Sequence, residues 1–257
     1  MYVLVHQMKH ALRTALRSGY GYARKLLVER PPPPPAKELS AHDEFLVWMR
    51  YINPGMLSQG NIELFAHCIE NLPNGAPVVE IGSFAGLSLN HIIYFLRRSR
   101  RANPVFSVDA WGTYEAGNIP NSEVPFDKYR DHVVETFKRN VVLFSGTDRL
   151  PHHIELTSDA FFRAWHAGEE RTDYFGRRIS LGGPISFAYI DGDHTYEQSM
   201  KDFENVDRYL QVGGFIVFDD SSDYSDWGSN RTAKEAARLP QYELTARNPN
   251  YCIRKIA

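Results

Sequence analysis

Cysteine is scarce in this chain: Cys68 and Cys252 are the only two among 257 residues. They lie far apart in sequence, and no CxxC or Cys/His spacing accompanies either. A disulfide framework and a structural zinc are therefore not expected. The pair reads as buried, reduced thiols of a cytoplasmic protein. Long apolar runs are lacking too. No stretch approaches the roughly 18 apolar residues that span a bilayer, so no transmembrane segment is expected. The first residues run apolar from Met1 to Val5 and only then turn basic. That is the reverse of the order in a secretory leader, so none is expected. An excess of one charge is also missing: 29 basic and 31 acidic side chains leave a net charge of −2. The whole chain thus offers no electrostatic case for nucleic acid. What remains is ordinary soluble composition, 43% hydrophobic and 23% charged, and a length ample for one α/β domain.

Residues 1–35 differ from the rest. Lys9, Arg13, Arg17, Arg24, Lys25 and Arg30 face a single acid, Glu29. Val3, Leu4, Met8, Leu12, Leu16 and Tyr20 recur at helical spacing. Pro31 to Pro35 then form a stiff polyproline II spacer. Such an arm suits weak contact with an anionic membrane surface, packing on a second subunit of a dimer, or docking on its own domain.

Residues 36–257 read as the globular domain. Helical patterns at 41–52 and 60–72 precede a strand at Val78–Ile81. Further apolar, β-rich runs follow at Val105–Val108, Ile154–Leu156, Phe187–Ile190 and Phe215–Phe218. Helical patterns such as Leu87 to Leu96 and Tyr196 to Leu210 lie between most of them. Weaker strands near Tyr242–Thr245 and Tyr251–Arg254 close the chain. Apolar strands alternating with helices predict a Rossmann-like, seven-stranded, mostly parallel sheet covered on both faces. Residues 111–150 and 166–184 are long for plain connections, and long insertions at strand ends often build lids and substrate walls.

The stretch from Val78 to Ser88 reads as strand, tight turn and helix, with Gly82 ending the strand and Gly86 at the helix start. Glycine permits positive φ and close approach of a ligand, and helix N-termini favour anions. A plain turn without a ligand fits the same residues. Asp109 ends the second strand, where an acid can accept from both ribose hydroxyls of a nucleoside. The spacing Gly82-x-x-x-Gly86 is not GxGxxG, so a nucleoside carrying an amino acid fits better than a dinucleotide.

Asp191 ends the fourth strand, and Asp219 and Asp220 end the fifth. Neighbouring strands lie about 4.8 Å apart, so these carboxylates can converge. They would then repel one another unless a cation sits among them, and hard oxygen ligands suit Mg²⁺, Mn²⁺ or Ca²⁺. Capping of loops and helices is the plainer role for such acids.

The Glu80-x-Gly82-x-x-x-Gly86 loop, Asp109, and the segments Ile190 to His194 and Phe218 to Asp220 together resemble class I S-adenosylmethionine-dependent methyltransferases. The likeness covers residues 55–230. It is greatest to the metal-dependent O-methyltransferases, both the catechol and caffeoyl-CoA type and the sugar and macrolide type. Met56 to Gly60 resembles the segment before the first strand in the catechol-type enzymes. The resemblance implies that Glu80, Gly82 and Ser88 hold the amino-acid part of the cofactor, with Ser83, Phe84 and Gly86 beside them. Asp109 would hold the ribose. Ser158 and Asp159 would border the adenine, and Trp111 would stack on it or simply pack. Asp191, Asp219 and Asp220 match the family's metal ligands, with Mg²⁺ the expected ion. His194 falls where the catechol-type enzymes carry a lysine base. It, or a ligand aspartate such as Asp191, would take the acceptor's proton, although a histidine orienting Asp191 fits as well.

Tyr224 and Trp227 follow the acidic pair and are candidate substrate walls, as are Tyr114, Phe126, Tyr129 and His132 in the 111–150 segment. The expected acceptor is a small, polar sugar or a catechol-like phenol of a natural-product pathway. Three rival readings remain: a metal-independent methyltransferase, a non-catalytic scaffold tethered by residues 1–30, and, weakly, a nicotinamide dehydrogenase.

Overall fold

The computed structural model describes residues 43–112 and 117–257. The basic arm, the proline run and Tyr114 lie outside them. Helix α1 (Glu44–Ile52) and helix α2 (Gln59–Glu70) come first, then β1 (Val78–Ile81), α3 (Leu87–Arg98), β2 (Val105–Val108), α4 (Phe126–Ser145) and β3 (His152–Ile154). After α5 (Ser158–Ala167) a short hairpin follows, β4 (Glu170–Thr172) and β5 (Arg178–Ser180). The rest is β6 (Ile185–Ile190), α6 (Tyr196–Asp207), β7 (Leu210–Phe218), α7 (Gly228–Ala236), β8 (Tyr242–Arg247) and β9 (Tyr251–Lys255).

Seven strands form one sheet in the order β3-β2-β1-β6-β7-β9-β8. The first five in that order, β3 to β7, pair in parallel, and β9 runs antiparallel to both β7 and β8. β1, β2 and β6 are buried along their whole length. Alternation along β6 and β7 then builds two cores. Phe187, Tyr189, Phe215 and Val217 face α2, α3 and α4, while Ala188, Ile190, Ile216 and Phe218 face α5, α6 and α7. The expected Rossmann-like α/β architecture is present. Among the described residues no helix is long and apolar enough to cross a membrane.

Four sequence expectations change in detail. The third strand is His152–Ile154 rather than Ile154–Leu156, because pairing with Phe106 to Val108 sets its register. The fourth and fifth strands begin earlier, at Ile185 and Leu210. The 111–150 segment is largely a crossover helix: α4 buries Val133, Phe137, Val141 and Phe144 in the core. Residues 166–184 contain the exposed β4–β5 hairpin, whose Tyr174 amide donates to the His153 carbonyl at 2.8 Å. The hairpin turn thus covers the free edge of β3, a common defence of edge strands, and supplies no cavity wall. The two cysteines, distant in sequence, meet across α2 and β9 with their sulfurs 3.4 Å apart, both as buried thiols.

Candidate functional site

Parallel registration brings the strand ends together. Ile81 is level with Val108 on one side and Ile190 on the other. The ladder continues past the strands: Gly82 N donates to Val108 O, Asp191 N to Ile81 O and Asp219 N to Ile190 O, at 2.8–2.9 Å. Gly82, Asp109, Asp191 and Asp219 therefore emerge side by side. They do so where the strand order reverses, the usual binding crevice of such sheets. A cavity opens here, lined among others by Met56, Leu57, Ser83, Phe84, Ser88 and the acids Asp109, Asp191, Asp219 and Asp220.

Gly82 has a packing reason as well as a ligand reason. Its φ is +83°, and a Cβ there would stand 1.9 Å from the Asp191 carbonyl oxygen. Gly86, at φ +87°, opens α3 and would meet Val141. Gly82→Ala is expected to cost at least about 3 kcal/mol, from forced left-handed backbone and a backbone clash together. In a calorimetric melt that is a fall of roughly 6–12 °C for a domain of this size.

Beneath the loop, Glu80 is fully buried and neither carboxylate oxygen has a hydrogen-bond partner. Burial pushes its pKa up to about 8, with the nearby hydroxyls of Ser88 and Ser83 pulling the other way and Asp109 adding to the rise. The Ser83 hydroxyl is likewise buried without a partner. An orphaned acid and an orphaned hydroxyl beside a helix N-terminus suit a ligand with an ammonium and a carboxylate, as in an amino acid.

Asp109 accepts three backbone amides: Ser83 at 2.8 Å and Phe84 at 2.9 Å on Oδ2, and Trp111 at 2.7 Å on Oδ1. Trp111 is buried, stacks on His153 with ring centres 4.3 Å apart and donates its indole N–H to the Phe84 carbonyl at 3.0 Å. It braces the loop and does not line the cavity. Ser158 and Asp159 also lie outside the lining. Ser158 accepts from Gln198, and Asp159 faces Asn205 and Lys201, all on α6.

Past the ends of β6 and β7, one ligand atom each of Asp191, His194 and Asp219 lie within 4.8 Å of one another. Asp220, at φ +47°, comes to 3.6 Å from the His194 Nε2, whose distance to Asp191 is 3.8 Å. Burial and the neighbouring Asp219 carboxylate push Asp191 well above the usual carboxylate range, and the same two causes raise Asp220. Carboxylates that resist ionising together suit a cation. The histidine adds a nitrogen donor to the oxygen set anticipated from sequence. Asp193 serves the turn before α6, accepting from Thr195 N at 2.8 Å.

Two residues of this site were not anticipated. The side-chain amides of Asn61 on α2 and Asn250 before β9 both donate to Asp219 Oδ1, and Asn250 also donates to Asn61 at 3.0 Å. A buried polar residue on the apolar face of α2 was the available signal for Asn61; nothing marks Asn250. Of the proposed substrate walls, Trp227 lies beside His194, ring centres 5.6 Å apart, whereas Tyr224 is 95% exposed. Phe126, Tyr129 and His132 sit on α4 away from the cavity lining.

A family model described as a methyltransferase domain matches residues 79–221, more than half of the chain. A curated relative, an uncharacterized protein of Acanthamoeba polyphaga mimivirus, is 25% identical over 185 residues. That match takes in 68% of this chain and 66% of the relative, so the chain spans just under two thirds of the relative's length. Among solved structures, an O-methyltransferase from Bacillus cereus in complex with S-adenosylhomocysteine superposes with a TM-score of 0.54 at 16% identity, covering 85% of this chain and 93% of that one. The O-methyltransferase TomG from Streptomyces achromogenes, in complex with S-adenosylmethionine, gives 0.52 at 13% identity, covering 93% and 96%. These two likenesses concern the fold. Together with the family match, they make this chain a member of the methyltransferase family, with the class I, Rossmann-like domain.

Proposed function

We propose that the chain is an S-adenosylmethionine-dependent O-methyltransferase acting on a hydroxyl of a small polar acceptor, a sugar or a catechol-like phenol, beside a divalent cation. The observation that carries this reading is one cavity that brings two unlike polar groups together. The unpartnered Ser83 hydroxyl lines the cavity with the unpartnered Glu80 carboxylate buried beneath the same loop, and Asp191, His194 and Asp219 converge at the neighbouring strand ends. Bound S-adenosylmethionine would supply an electrophilic methyl group, and a cation would supply the charge that lowers the acceptor's pKa.

Glu80 would meet the ammonium of the amino-acid end, and the amides at the start of α3 its carboxylate. Asp191 and Asp219 would hold the cation, with His194 or Asp220 completing the set. When it is not a ligand, His194 would take the acceptor's proton, and Asp191 and Asp220, 3.8 and 3.6 Å from its Nε2, would flank the imidazolium so formed. Trp227 beside His194 would give the acceptor a flat apolar face. That the similar structures include O-methyltransferases supports oxygen as the acceptor atom.

Calorimetric titration of S-adenosylmethionine and S-adenosylhomocysteine, in Mg²⁺ and in EDTA, tests the reading. Micromolar binding is expected in both buffers, followed by methylation of a catechol or sugar only with Mg²⁺. Methylation that persists in EDTA would point instead to a metal-independent enzyme. No binding in either buffer would remove the cofactor assignment.

A further inference from the structure

We infer that Asn61 and Asn250 are positioning residues: together they fix the Asp219 carboxylate by one oxygen and leave the other available to a cation. The inference rests on the cation part of the reading above and extends it to the turn between β8 and β9. Each oxygen of an ionised carboxylate offers about two lone-pair sites. Both sites of Asp219 Oδ1 are taken, by the side-chain amides of Asn61 and of Asn250, the latter at 2.9 Å. Oδ2 receives no donor among the described residues, and Asp219 lines the cavity. A carboxylate held in this way keeps one orientation without losing its second oxygen to the protein.

The two asparagines are fixed at their other atoms, so neither amide is free to turn away. Asn61 Oδ1 accepts from Asn250 Nδ2 at 3.0 Å, and Asn61 Nδ2 also reaches the Tyr189 hydroxyl at 3.2 Å. Asn250 Oδ1 accepts from the Ser221 backbone amide at 2.9 Å. The Ser221 hydroxyl in turn accepts from Tyr251 N and donates to Phe218 O, both at 2.8 Å. Asn61, Asn250 and Ser221 are all buried, and a satisfied buried network of this kind is rigid. Each asparagine donates and accepts at once, which only an amide of that size can do. The turn is also seated on α2. A Cβ on Gly60 would stand 1.7 Å from the Asn248 carbonyl oxygen, and the Asn248 amide donates to Glu63. The segment after β7, with Asp220 at φ +47°, is therefore held in place by a hairpin turn and by the first turn of α2.

Two variants remove the donors separately: Asn61→Leu, of nearly equal volume, and Asn250→Ser, which keeps a polar atom at the turn. Mn²⁺ is the probe, its free fraction read by electron paramagnetic resonance on the full chain. Each variant should raise the Kd for Mn²⁺ about 10–100-fold, as for other groups that orient a metal ligand. The Kd for S-adenosylhomocysteine should stay within about threefold, because neither side chain belongs to the loop after β1. In an Asp219→Asn background the same replacements should cost Mn²⁺ affinity about twofold or less, since the carboxylate they position is gone, while their effect on the melting temperature persists. A Mn²⁺ Kd that does not move overturns the inference. So does a cost that stays full in the Asp219→Asn background, or one matched by an equal loss of S-adenosylhomocysteine affinity. An unmodified chain that binds no Mn²⁺ sinks the cation reading by itself. Crystals of the metal-free chains then decide the positioning role. Asp219 in one conformer in the unmodified chain and in several in Asn61→Leu supports it; the same single conformer in both overturns it.

Discussion

Asp219→Asn is expected to leave the Kd for S-adenosylhomocysteine within about threefold of the unmodified chain and to lower methyl transfer by roughly 10³-fold, the scale of losing a positioned charge or metal ligand. The substitution is gentle on the fold because of how Asp219 is held. One oxygen, Oδ1, already accepts from Asn61 and Asn250. An amide oxygen can take that place and keep both donors satisfied. The amide nitrogen then replaces Oδ2, and only the charge is lost. Alanine would be a poorer choice, since it strands two buried amides, at a cost of about 1–3 kcal/mol each. Asp219 follows β7, two strands away from the β1 end that carries Glu80 and Ser83, so affinity for the amino-acid end of the cofactor should hardly change. Single-turnover assays beside calorimetry separate the two quantities. Loss of cofactor affinity in step with activity would mean that the acids belong to the cofactor site and not to a cation.

The parts of this site that sequence made legible are those written into local pattern. Val78 to Ile81 is an apolar strand broken by Gly82, and Asp191 and Asp219 each follow an apolar run directly, so strand ends and their acids could be placed without coordinates. The parts that stayed hidden depend on long-range or backbone contacts. Asn250 reaches Asp219 from 31 positions away and Asn61 from 158 positions away. The partners of Asp109 are backbone amides, which no side-chain motif records. Helix α4 escaped notice because its outer face is crowded with charge, although Val133, Phe137, Val141 and Phe144 carry the helical stripe. The beginning of β7 was missed because Gly213 and Gly214 interrupt its apolar run. The paired His152 and His153 disguised β3. His153 sits in a core position with its pKa lowered to about 3 by burial, against the pull of Asp173.

Glu80→Gln should stabilise the cofactor-free chain at alkaline pH while weakening cofactor binding. In the folded chain burial holds the Glu80 pKa at about 8, against 4.5 as its ordinary value. The folded state therefore binds this proton more tightly than the unfolded state. The associated stability is complete below pH 4.5 and drains away as pH rises through 8. Glutamine mimics the protonated acid at every pH. The variant should thus match the unmodified chain near pH 4.5 and exceed it by about 3 kcal/mol near pH 9, at 1.36 kcal/mol per pKa unit with allowance for relaxation. That corresponds to a melting temperature roughly 6–12 °C higher. The orphaned carboxylate is a stability cost that makes sense only if a cation comes to it. An ammonium arriving at Glu80 favours the ionised form, so binding of S-adenosylhomocysteine at pH 7 should release close to one proton, about 0.9 of the sites being protonated beforehand. Calorimetry in two buffers of different ionisation enthalpy measures that release. In the Glu80→Gln chain the release should disappear and the Kd should rise about 10–100-fold, as for a lost charged hydrogen bond. Binding without proton release in the unmodified chain would mean that the ammonium lies elsewhere and that Glu80 stays neutral beneath it.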